Sequence, residues 1–279
     1  MIVYIKLLLT ALLWGGTFIA GRVVAEDVGP FSAAFFRFFI ASIFLVLFTY
    51  RIEGKLPMPG KRQMIPVFLL GMTGVFSYNV FFFKGLKLIN AGRAAIIIAG
   101  NPILITLLSA YFFKEKLNMV KGAGIIISVI GAVIVISKGS LSEIVNGLIG
   151  KAVMNALSPL ASVTYSSVIG TVLLFFPAFF EGMFKDYSSY TNMAWLSIFY
   201  LGFFGTVIGF VWYYEGIKKI GAMRASLFIN FVPICAVVQA FFILDEPITL
   251  SLLIGTVLVC SGVYLTNKRF TPDQVKSTV

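Results

Sequence analysis

The chain has 279 residues, of which 59% are hydrophobic and 12% charged, where soluble domains carry roughly 45–50% and about 25%. With no histidine, two separated cysteines and no cluster of carboxylates, it lacks the usual general bases, metal ligands and nucleophile partners, so an enzyme reading has little to stand on. Its net charge of +11 needs no nucleic-acid partner, because Lys and Arg gather in the cytoplasmic loops of membrane proteins; we read no catalytic site, no metal site and no cofactor.

Apolar segments near the roughly 20 residues of a membrane helix follow one another along the chain. Leu7 to Gly21 comes first. Lys6 precedes it as in a signal peptide, but no small-x-small cleavage site closes the run, so it reads as a retained span. It carries Trp14 and Thr17. Phe31 to Tyr50 is second and holds Arg37, the only charge well inside a predicted span. Arg37 lies about 10 Å from the end at Pro30, within snorkelling reach of the headgroups, and reads as a structural or lip residue. Gln63 to Phe83 is third, with Tyr78 and Asn79 late in it. Ala94 to Phe113 is fourth, set between Arg93 and Glu115, with Asn101 and Pro102 near its middle. Gly122 to Ser137 is a short fifth. Ser158 to Phe180 and Met193 to Tyr214 follow, the latter ending on Trp212 and Tyr213. Ala225 to Leu244, between Arg224 and Glu246, holds Asn230 and Pro233, and Pro247 to Asn267 closes the series. No ten-residue segment alternates as a barrel strand would, so the class is all-α and polytopic.

The chain is written twice. At an offset of 131 positions, Phe68, Gly71, Gly74, Gly85, Arg93, Pro102, Glu115, Gly124 and Gly131 meet Phe199, Gly202, Gly205, Gly216, Arg224, Pro233, Glu246, Gly255 and Gly262 without a gap. An internal repeat with an odd number of spans sets its copies in opposite orientations, the arrangement of alternating-access carriers. Pro102 and Pro233 fall mid-span and free backbone carbonyls at Ile98 and Ile229, so we expect helix breaks there. Intramembrane amides are costly away from polar company, which makes Asn101 and Asn230 the first candidates for a solute-binding lining. Tyr78, Asn79, Trp14, Thr17, Trp212 and Tyr213 at similar depth are further candidates.

The stretch "AGRAAIIIAGNPILITLLSAYFFKEKL", its partner "GAMRASLFINFVPICAVVQAFFILDEPI", the opening "LLWGGTFIAGR" and "PFSAAFFRFFIA" resemble the EamA family of the drug/metabolite transporter superfamily over nearly the whole chain. The resemblance implies ten helices in two inverted five-helix repeats around a central cavity, moving metabolites such as amino acids, usually outward. Related families carry lipid-linked or nucleotide-linked sugars, and a non-transporting membrane subunit is the alternative from another class. The expected partners are a small-molecule solute and the bilayer of the cell membrane, with the N-terminus cytoplasmic and the protein a monomer or homodimer.

Two features need explanation. Arg93 and Arg224 open the fourth helix of each repeat and Glu115 and Glu246 close it, signs that oppose the helix dipole. Inverted repeats bring Arg93 and Glu246 to one rim and Glu115 and Arg224 to the other, as candidate gates. The second feature is length. We divide the chain into a first repeat (1–138), a connecting loop (139–150), a second repeat (151–268) and a cytoplasmic tail (269–279). The loop has too few residues for the sixth helix. Yet with a sixth helix restored, and leaving out Lys6 and the intramembrane Arg37, 14 Lys and Arg lie inside against 6 outside, and without it the bias reverses against the positive-inside rule. We therefore expect nine helices packed as in a ten-helix carrier.

Overall fold

The structure is a computed structural model that describes residues 2–56, 59–100, 119–136 and 158–267. Every regular element among these residues is helical. The first two crossings are α1 (Ile2–Asp27) and α2 (Pro30–Glu53). Pro30 starts α2 where a missing N–H costs nothing, and Gly54, in the left-handed region at φ 70°, ends it. The third crossing is composite, with α3 (Lys61–Leu70), a π-helical stretch π1 (Gly71–Ser77) and α4 (Tyr78–Leu88). The fourth begins as α5 (Ala91–Ala99), and the fifth is α6 (Met119–Ile136). Then come α7 (Pro159–Glu181) and the single turn α8 (Met183–Asp186). Next is a second composite crossing of α9 (Asn192–Phe199), π2 (Tyr200–Ile208) and α10 (Gly209–Ile220). α11 (Ala222–Ile229), α12 (Val232–Leu244) and α13 (Leu250–Asn267) complete the described chain. Six helical spans among the described residues are long and apolar enough to cross a membrane.

Side-chain contacts fix the direction of each crossing. Lys6 pairs with Glu215 at 2.6 Å near the start of α1, and Thr191 donates to Asp27 at its end, so α1 runs antiparallel to α9–π2–α10. Arg22 reaches the Leu86 carbonyl, so the third crossing runs with α1. We call the two ends the Lys6 face and the Asp27 face. α2 and α7 are antiparallel and zipped by hydroxyl pairs, Ser42 with Thr171 at 3.0 Å and Thr49 with Thr164 at 2.8 Å. Buried hydroxyls need such partners where no water is at hand. α6 and α13 cross closely and antiparallel: a Cβ on Gly131 would stand 2.7 Å from Leu258, and Ser128 donates to the Val259 carbonyl at 2.9 Å. α6 thus climbs to the Asp27 face, while α7 starts at the Lys6 face, where Ser158 meets Glu53 at 2.5 Å.

The two repeats match in detail. π1 and π2 fall at equivalent places under the 131-residue offset. Gly71 lets π1 approach α7, where a Cβ would lie 2.8 Å from Ile169, and Gly202 lets π2 approach α2, where it would lie 2.7 Å from the Arg37 carbonyl. Each composite crossing thereby leans on the second helix of the other repeat.

Candidate functional site

Arg37 lies two turns into α2 and does not snorkel. It is 9% exposed and points into the protein. Its Nη1 donates to Asn79 Oδ1 at 2.9 Å, and its Nε and Nη2 lie 3.4 Å from Thr206 Oγ1. Asn79 follows π1 and donates from Nδ2 to the Val75 carbonyl within π1 at 2.8 Å. Thr206 belongs to π2 and donates to the Leu201 carbonyl at 2.9 Å. One guanidinium therefore ties together the two π-helical stretches. Its remaining surroundings are aromatic: Phe38 and Phe82 face it at 5.2 and 5.8 Å, and Tyr78 stacks on Phe82 at 6.0 Å. Among the described residues no carboxylate lies within 4.0 Å of it. Side-chain dipoles and ring faces carry the stabilisation that a counter-ion usually gives a buried charge.

A π turn holds one residue more than an α turn and marks functional positions in many helices. Here the widened turns are braced by hydroxyls that reach five residues back, Ser77 to the Met72 carbonyl at 3.0 Å and Thr206 to Leu201.

Of the sequence candidates, Asn79 and Tyr78 stand in this cluster. Trp14, Thr17 and Tyr213 stand together elsewhere. Trp14 donates from Nε1 to the Gly205 carbonyl at 2.9 Å, lies over Gly209, and meets the Phe210 and Tyr213 rings at 5.5 and 5.3 Å. Thr17 donates to the Trp14 carbonyl at 2.6 Å and sets its methyl against Gly205. These contacts seat α1 on the second repeat. Trp212 is half-buried on α10. Asn230 closes α11 at an interruption before α12, and Pro233 is buried in the first turn of α12. α11 ends on Ile229, the residue whose carbonyl the proline ring crowds. α5 ends on Ala99, one residue beyond the place equivalent to Ile229. Asn101, Pro102 and Glu115 lie outside the described residues.

The helix-end charges find their partners across the repeat. Glu246 accepts from the backbone N–H groups of Ala91 and Gly92 at 2.7 and 3.0 Å, at the N-terminus of α5. Among the described residues no ion pair joins it to Arg93. Glu181, at the end of α7, accepts from Ser32 N at 2.6 Å at the start of α2, and Glu53, at the end of α2, takes the Ser158 hydroxyl at the start of α7. A carboxylate that opposes its own helix dipole thus serves the dipole of an antiparallel neighbour. Arg224 is exposed at the start of α11.

Between α2, α7 and α9 lies an apolar groove of about 720 Å³, lined by Phe35, Phe39, Ile40, Val172, Phe175 and Trp195 among others. No candidate from the sequence lines it. Sequence reasoning missed Thr206, for which the signal was a hydroxyl in an apolar run between the repeat-matched Gly202 and the glycine at 209.

Comparisons with known proteins recognise each half of the chain separately. The EamA-like transporter family model matches residues 1–137 and again 139–268. The chain belongs to the EamA-like transporter family. Family relatives include the "Uncharacterized transporter YyaM" of Bacillus subtilis, 30% identical over 94% of this chain and 92% of its own length. An "Uncharacterized transporter" of Archaeoglobus fulgidus is also 30% identical, over 94% and 97%. A crystal structure shares the fold, with a TM-score of 0.57 over 95% of this chain and 96% of its own at 20% identity. The YyaM alignment runs over 281 positions, while 94% of 279 residues is about 262, so about 19 positions of this EamA relative have no counterpart here. The chain is a multi-pass membrane transporter.

Proposed function

We propose that this protein is a secondary carrier of small polar or amphipathic metabolites, amino acids among them, that works by alternating access and exports its solute. The observation that carries this reading is the pair of π-interrupted crossings, matched in sequence, opposite in direction and joined through Arg37. Half-site geometry of this kind lets one repeat rock against the other around a fixed centre. Tyr78 and Asn79 beside Arg37, with Asn230 at the interruption after α11 and Asn101, which lies outside the described residues, are the residues we assign to solute contact. Glu246 and Arg93 at the Asp27 face form one rim, and Arg224 at the Lys6 face, with Glu115 that lies outside the described residues, is assigned to the other, the two opening in turn. Arg51, Lys55, Lys61, Arg62, Lys218, Lys219 and Arg224 gather at the Lys6 face, which supports a cytoplasmic N-terminus in the cell membrane.

Reconstitution in liposomes tests the reading. We expect saturable counterflow of a labelled solute from a panel of amino acids, purines and sugars, lowered at least tenfold by Asn79→Leu. Absence of counterflow across the panel, with protein shown to be folded and inserted, would argue for a non-transporting subunit.

A further inference from the structure

The inverted repeats touch each other at residues that are one another's counterparts. α2 and α7 both open on proline, Pro30 and Pro159, so at that offset of 129 positions Ser42 is the counterpart of Thr171. These two hydroxyls bond each other at 3.0 Å. At the 131-residue offset of the later helices Ser128 is the counterpart of Val259, and Ser128 Oγ donates to the Val259 carbonyl at 2.9 Å. Packing around both pairs is reciprocal. A Cβ on Gly71 would stand 2.8 Å from Ile169 and one on Gly202 3.0 Å from Ile40, each contact the image of the other. Likewise a Cβ on Gly131 would stand 2.9 Å from Val259 N, and one on Gly262 2.7 Å from Ser128 N.

A two-fold axis carries a residue pair onto itself only where the pair straddles it. Two such pairs define a line through the protein, from the α2–α7 seam to the α6–α13 seam. In a carrier built from inverted repeats, the second state is the first with the conformations of the repeats exchanged. That exchange returns a contact between counterparts to itself, so the contact holds in both states. Contacts between unlike residues at one face have no such protection. At the Asp27 face, Arg22 donates to the Leu86 carbonyl, a Cβ on Gly21 would stand 2.6 Å from Leu86, and Glu246 accepts from Ala91 and Gly92. These hold α1 and the residues after α12 against α4 and α5, and a passage to that face requires them to part.

We propose, on the basis of the carrier reading above, that the seams at Ser42–Thr171 and Ser128–Val259 are the two fixed ends of the axis about which the protein switches, and that the Gly21–Leu86 and Glu246 contacts are the latch that opens. The chemistry suits the division. The seams are dry hydroxyl bonds and glycine contacts, which pack helices closely inside a bilayer. The latch uses Arg22 and Glu246, whose bonds water can replace when that face opens.

Cysteine pairs test this in full-length protein in liposomes, in a Cys235→Ser, Cys260→Ser background. A disulfide between Ser42→Cys and Thr171→Cys should leave counterflow within about twofold of the reduced protein, whereas one between Gly21→Cys and Leu86→Cys should lower it about tenfold, reversibly on reduction. Spin-label distances give a readout that needs no solute. The exposed counterparts Ile43 and Val172 flank one seam, Ile126 and Val257 flank the other, and the exposed Glu26 and Leu88 flank the latch. Adding Glu246→Ala should give the Glu26→Cys, Leu88→Cys pair a longer-distance population and leave both seam distances unchanged. Lost counterflow in the seam-linked protein, full counterflow in the latch-linked one, a seam distance that lengthens with the latch, or a latch distance indifferent to Glu246→Ala would each overturn the proposal. If reduced protein exchanges no solute at all, the carrier reading fails by itself, and the distances still decide which contacts are fixed.

Discussion

Arg37 donates to Asn79 at 2.9 Å inside the membrane-spanning core, and that bond is the shortest the guanidinium makes. A buried charge that loses its best acceptor retains its desolvation cost without the compensation, worth about 1.5–3 kcal/mol for a hydrogen bond to a charged group. Asn79→Ala should therefore lower Tm by roughly 5 °C. Arg37→Met with Asn79→Leu should recover more than half of that loss, because removing both partners leaves no orphaned charge. Thermal unfolding of the two variants decides the point, and a double variant as unstable as the single one would refute this account.

Glu246 serves the N-terminus of α5 from outside that helix. Its removal should resemble loss of an N-cap, about 0.5–2 kcal/mol. Glu246→Ala should thus reduce Tm by a few degrees, with Glu246→Gln intermediate because one amide acceptor remains. Equal stability of all three proteins would show that the bonds to Ala91 and Gly92 contribute nothing net.

Trp14 lies over Gly209, where a Cβ would come 2.4 Å from its indole nitrogen. Gly209→Val should destabilise the protein by about 1–3 kcal/mol through overpacking, and Gly209→Val with Trp14→Phe should be milder than Gly209→Val alone. Additive losses in a double-mutant cycle would contradict direct contact.

Proton-driven carriers place a titratable carboxylate or imidazole at depth. The acidic residues among those described, Glu26, Asp27, Glu53, Glu181, Asp186, Glu215, Asp245 and Glu246, lie at or near helix ends. We expect counterflow in liposomes to be unchanged by a gradient of about two pH units, since no such central group is in place among the described residues. Solute accumulation against its concentration under that gradient would disprove facilitated exchange.

The repeat was legible because glycine and proline report backbone demands directly: Gly71 and Gly202 mark close approaches, and Pro233 marks the break after Ile229. The fate of the helix-end charges was not. Depth alone pairs Arg93 with Glu246, but a carboxylate can bond amides on a neighbouring helix, and that choice depends on lateral placement that a linear pattern does not encode. For the same reason the sequence could not choose between the structural and lip roles read for Arg37. Its distance from Pro30 allows snorkelling, while the direction of its side chain depends on Asn79 and Thr206, which come from two other crossings. An aromatic ring at the depth of Trp14 suits a lining or a packing role, and the sequence alone did not show that it lies over the glycine at 209.

The π turns also set a phase. Gly71 looks toward α7 and Asn79 toward α2, and both hold only while π1 keeps its surplus residue. Deleting one residue from 72–77 would tighten the turn to an α-helix and rotate everything beyond it by about 100°. Asn79 would swing off Arg37 while Gly71 stayed in place. Single-residue deletions within π1 or π2 should therefore be tolerated far less well than point substitutions at the same positions.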